Sequence, residues 1–136
     1  MVYTYRNSVE HELDRLFPIE MLEGISIELR NFPKGARNVN YLLNEDGIIT
    51  VDIKNNPRKR LKNVLHGAVL FSLENYGYVF GEDSVINRET ESEIDDLVKK
   101  ILSEPSSPIF MEVEYMLGDA EVAYIKRFGG DFKYTH

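Results

Sequence analysis

Ile48-Ile49-Thr50-Val51-Asp52-Ile53, then Asn55-Asn56-Pro57, then the run from Arg58 to Tyr76 together decide the class of fold. The first stretch is almost wholly β-branched, and branching at Cβ suits a pleated strand better than a helix. Asn55-Asn56-Pro57 has the form of a helix cap followed by a first-turn proline. Beyond it Leu61, Val64, Leu65, Ala68, Val69 and Leu73 recur at intervals of three and four, which predicts a buried helix over Arg58–Tyr76 closed by Gly77 and Gly81. Upstream, Asn44-Glu45-Asp46-Gly47 carries the Asp-Gly turn signal, so a strand over Asn38–Leu43 is expected to form a hairpin or meander with Ile48–Ile53. Ile25, Ile27 and Leu29 alternate with polar residues and predict a further strand over Ile25–Arg30. Val9, Leu13, Leu16 and Phe17 predict a first helix over Asn7–Phe17, ended by Pro18. Ile94, Leu97, Val98, Ile101 and Leu102 predict an amphipathic helix over Glu91–Leu102 before Pro105. After Pro105 the segments Ile109–Leu117 and Val122–Phe128 flank Gly118-Asp119 and fit either a second hairpin or a helix and a strand. The expected class is α+β: an antiparallel sheet of three or more strands packed against two or three helices.

Composition bounds the function. The 136 residues, 43 % of them apolar, are enough for a single α+β domain over 1–136 with one hydrophobic core. There is no cysteine, which excludes disulfides, thiol nucleophiles and thiolate metal sites. The amino-terminal residues lack the pattern of a signal peptide, and no apolar run approaches the roughly 18 residues of a membrane helix, so a soluble cytoplasmic protein without membrane association is expected. A net charge of −7 argues against a general affinity for nucleic acid, which draws on Lys and Arg to neutralise phosphates.

Chemistry near neutral pH commonly recruits histidine, and the chain has three, His11, His66 and His136. His136 is terminal. His11-Glu12-Leu13-Asp14-Arg15 starts like a zinc-binding helix but has arginine where a second histidine is needed, and a guanidinium has no lone pair to give a metal. His66 lies within the longest apolar helix, in Val64-Leu65-His66-Gly67-Ala68-Val69-Leu70. The order helix, strand, strand, turn, strand, Pro57-Arg58-Lys59-Arg60-Leu61 and a helix with Leu65-His66 resembles the small zinc peptidases of the ImmA/IrrE family, the minigluzincins. The resemblance covers residues 8–105. It extends to Glu91-Ser92-Glu93-Ile94 and the apolar spacing as far as Leu102, which is similar to the family's third-ligand helix. It implies a zinc ligand at His66 and another at Glu91 or Glu93. The family's His-Glu-x-x-His is broken here, with Gly67 in place of the catalytic base and Leu70 in place of the second histidine. The family's peptidase activity is therefore not expected to transfer, and no catalytic residue and no cofactor are assigned.

What such a scaffold retains is the capacity to bind a partner. Arg58, Lys59, Arg60 and Lys62 form the densest basic run, and Tyr76 and Tyr78 lie in an aromatic cluster of the kind common at interface hot spots. The expected function is a non-catalytic protein-interaction or regulatory role, a pseudoenzyme whose partner is a protein or a second copy of the chain. Two alternatives are a cryptic metal-dependent hydrolase using His66 with Glu91 or Glu93, completed by another carboxylate or His11, and an acidic inhibitor of a nucleic-acid enzyme. Glu112 and Glu114 would share one strand face if the tail were sheet.

Overall fold

The computed structural model describes residues 17–36, 39–76 and 88–131. Three strands, β1 (Ser26–Arg30), β2 (Tyr41–Leu43) and β3 (Ile48–Asp52), and three helices, α1 (Pro57–Tyr76), α2 (Arg88–Leu102) and α3 (Pro108–Phe128), make an α+β fold. Two short 3-10 turns, Ile19–Leu22 and Lys34–Ala36, precede β1 and β2. The expected Asn7–Phe17 helix lies outside the described residues except for Phe17, which is buried in the core.

The sheet has the order β1-β3-β2, with β3 antiparallel to β2 but parallel to β1. It is therefore mixed, which corrects the expectation of a purely antiparallel sheet. The Asp46-Gly47 turn fixes only the β2–β3 pair. Gly47 has φ +80°, Asn44 Oδ1 accepts from the backbone N–H of Asp46 and of Ile48, and any Cβ on Gly47 would run into the carbonyl oxygen of Gly24. The segment between β1 and β2 is long enough to pass from one edge of β3 to the other, and that brings β1 in parallel. Central placement also accounts for the unbroken β-branched run of β3, since Ile49, Thr50 and Val51 are buried on both sides of the strand.

α1 packs on β2 and β3, and is itself covered by α2 and α3. Asn56 Oδ1 accepts from the N–H of Lys59 and caps the helix behind Pro57. Leu61, Val64, Leu65, Ala68, Val69 and Leu73 are all buried, joined by Ile94, Leu97, Val98 and Ile101 of α2 and by Ile109, Phe110, Val113 and Leu117 of α3.

The tail after Pro105 is one helix. Pro108 occupies its first turn, and buried Ile109, Val113, Leu117 and Ala120 follow the helical period straight through Gly118. Glu112 and Glu114 are thus helix residues and do not share a strand face. Gly118 is exposed, with nothing within 4 Å of where its Cβ would lie. Gly118→Ala is expected to stabilise the protein by about 0.5–1 kcal/mol, read as a higher urea midpoint at unchanged slope.

Candidate metal centre

His66 sits midway along α1, on the side that faces α2. Its side chain is mostly covered, at 18 % exposure. The helical period sets Glu91 and Asp95, four residues apart on α2, on one face opposite it. Nε2 of His66 lies 3.4 Å from Glu91 Oε2 and 3.7 Å from Asp95 Oδ1. Among the described residues these three offer a metal-ligating cluster, with donor atoms all within 4.8 Å of one another.

The separations are informative. A hydrogen bond between imidazole and carboxylate closes to about 2.8 Å. Two donors that share an ion with bonds of about 2.0–2.1 Å in tetrahedral array stand about 3.3 Å apart. The His66–carboxylate distances lie nearer the second value. One imidazole and two carboxylates form a borderline-to-hard donor set that suits zinc and its first-row divalent neighbours, and three protein donors leave a coordination position open.

The other ring nitrogen is held from the sheet. Tyr41, on β2, places its hydroxyl 2.6 Å from His66 Nδ1, with the two rings tilted at 53°. Gly67 makes this possible. A Cβ there would come within 3.2 Å of Tyr41 Cε2 and 3.1 Å of Ile49 Cγ2, so the helix rides close to the sheet and any side chain would push both neighbours aside by a few tenths of an ångström. Gly67 therefore faces the sheet residues Ile49 and Tyr41. Burial, and then the negative charges of Glu91, Glu74 and Asp95, hold the Tyr41 hydroxyl well above the ordinary phenol range, so it stays protonated near neutral pH.

The other residues singled out from the sequence divide. Glu93 is exposed on α2 and takes no part in the cluster, because two residues from Glu91 is more than half a helical turn round the axis. Asp95 stands in its place. Leu70 is half-buried, while His11, His136 and Tyr78 lie outside the described residues. Arg58, Lys59 and Lys62 are exposed, whereas Arg60 is 2 % exposed, with Nη1 2.8 Å from Glu121 Oε2 on α3 and Nη2 bonded to the Ile53 carbonyl. Arg60 thus belongs to the interior and is removed from the expected docking run. Tyr76 closes α1. Asp95 had a signal in the sequence, the i, i+4 spacing from Glu91. Tyr41 had none, because strand pairing brings it to His66 from 25 residues away.

Fold and site together define a small α+β domain with a three-donor, histidine–carboxylate centre between two helices. Compared with protein-family profiles, curated proteins and solved structures, the chain matches none of them. No helix among the described residues is long and apolar enough to cross a membrane.

Proposed function

We propose that this protein binds a divalent transition-metal ion through His66, Glu91 and Asp95, and that the ion clamps α1 to α2 in a non-catalytic, regulatory domain on a scaffold like that of the ImmA/IrrE peptidases. The convergence of Nε2 with two carboxylates, all three donors within 4.8 Å of one another, carries this reading. The non-catalytic part rests on Gly67. A hydrolytic zinc site needs a carboxylate beside the bound water to take its proton, and Gly67, set against Ile49 and Tyr41, carries none.

The experiment is calorimetric titration of chelator-treated protein with zinc, together with metal analysis of protein purified without a histidine tag. One zinc per chain is expected, lost in His66→Ala and retained in Glu93→Ala. Zinc binding that survives His66→Ala, or no binding by the wild type, refutes the site. Peptide hydrolysis by the zinc-loaded protein would refute only its non-catalytic character.

The outer face of α3 favours a second reading, interaction with a protein partner. Met111, Tyr115, Val122 and Ile125 are 57, 67, 51 and 39 % exposed, on the side of the helix away from buried Ile109, Val113 and Leu117. With Gly118 they step by four and three, the seam spacing of helix pairs. Glu112, Glu114 and Asp119 flank them, so the partner we infer is an amphipathic helix with Lys or Arg on its flanks. A synthetic helix with leucine seam positions and lysine flanks should bind the wild type and lose at least about tenfold in affinity to Met111→Ser/Val122→Ser, which leaves the charge unchanged. Equal binding by the double variant, or self-association of the wild type in sedimentation, overturns this partner.

A further inference from the structure

The tie between Tyr41 and His66 deepens the metal reading, on which the following inference rests. An imidazole can bind an ion through Nε2 only if that nitrogen presents a lone pair, so the neutral ring must then carry its proton on Nδ1. Whatever faces Nδ1 therefore decides how well the ring serves as a ligand. Here it is a phenol hydroxyl at 2.6 Å, delivered by β2 and seated over Gly67.

We propose that Tyr41 is the positioning residue of this centre: its hydroxyl holds the His66 ring with Nε2 toward Glu91 and Asp95, and serves both tautomers of that ring. Without an ion, the Tyr41 O–H donates to Nδ1, and Nε2–H points at the two carboxylates. With an ion on Nε2, Nδ1–H donates to the Tyr41 oxygen. The proton that leaves Nε2 to solvent is matched by one gained at Nδ1, so this exchange of tautomers changes the charge of neither ring. A carboxylate or carbonyl facing Nδ1 could only accept, and would favour the ligating tautomer alone. The hydroxyl gives the ion-free site a satisfied state of its own, which suits reversible uptake.

Partners of this kind typically contribute ten- to a hundredfold in metal affinity. Tyr41→Phe keeps the ring that packs on Gly67 and removes only the hydroxyl, so the variant is expected to fold. Its zinc dissociation constant is expected to rise about 10–100-fold. The second readout is proton and nitrogen NMR of His66. Zinc-loaded wild type should show a slowly exchanging Nδ1–H, with through-space contacts to the Tyr41 ring, that is lost in Tyr41→Phe. In the ion-free protein, the Nδ1 nitrogen shift should be that of a hydrogen-bond acceptor in the wild type and should move in the variant. Equal zinc affinity with unchanged Nδ1 signals in Tyr41→Phe overturns the proposal. Absence of zinc binding by the wild type overturns the metal reading instead, and the ion-free nitrogen shifts still decide whether Tyr41 positions the ring.

Discussion

Zinc at about a thousand times its dissociation constant is expected to raise the unfolding free energy of the wild type by about 4 kcal/mol, because the ion binds the folded chain and not the unfolded one. For a chain of this length that is a rise of about 15 °C in the thermal midpoint. The size of the effect follows from where the donors lie. His66 belongs to α1 and Glu91 and Asp95 to α2, so the ion cross-links the two helices and any opening between them releases it. His66→Ala should abolish the shift, since it removes the nitrogen donor and leaves two exposed carboxylates. Asp95→Asn and Glu91→Gln should each reduce it to a small fraction, because a neutral amide oxygen is a far poorer ligand than a carboxylate. Glu93→Ala should leave it intact. Differential scanning calorimetry of the five proteins, with zinc and with chelator, decides the matter. A shift that persists in His66→Ala, or that Glu93→Ala removes, places the ion elsewhere.

These donors show how far the sequence reaches. His66 stood out as the histidine of the longest apolar helix, whereas Glu91 was singled out only through the resemblance to the zinc peptidases' third-ligand helix. Glu93 was an equal candidate so long as the side of α2 that faces His66 was unknown. Glu91 and Asp95 lie on one side of the buried stripe of Ile94, Leu97, Val98 and Ile101 and Glu93 on the other, and the packing of α2 on α1 puts His66 on the first side. Tyr41 depends on strand register, a long-range property, and its role as the partner of Nδ1 has no local signature.

The sheet divides in the same way. β2 and β3 were readable from the Asp-Gly turn, which is a local device. The parallel pairing of β1 with β3 depends on which edge the chain reaches after Arg30, and nothing in Asn31–Asn40 specifies that by spacing alone. The tail was ambiguous because Gly118-Asp119 resembles a turn. The apolar period of a 21-residue helix outweighs one glycine, whose cost in a helix is only about 1 kcal/mol, and Pro108 in the first turn favours the helical start.

Arg60 is where composition misled most, and the largest loss of stability from a single substitution near the surface is expected there. In the run Arg58-Lys59-Arg60-Leu61-Lys62 the four cations look equivalent, but the helix turns one of them inward. Its guanidinium joins three elements: the Ile53 carbonyl at the end of β3, Glu121 on α3, and α1 itself. A guanidinium with a 3 % exposed side chain has lost most of its hydration, so its carboxylate partner is needed in proportion. Glu121→Ala removes that partner and leaves the charge in place. Breaking a fully buried pair this way costs about 3–5 kcal/mol, and with Glu121 a third exposed to water the expected loss is nearer 2–3 kcal/mol. Replacing both members with apolar residues of similar length, as in Arg60→Met/Glu121→Leu, should cost less than Glu121→Ala alone, because no charge is then left buried without its counter-ion. Urea unfolding of the single and double variants measures this directly. A loss below about 0.5 kcal/mol for Glu121→Ala would mean that water reaches the guanidinium and that the pair behaves as a surface ion pair.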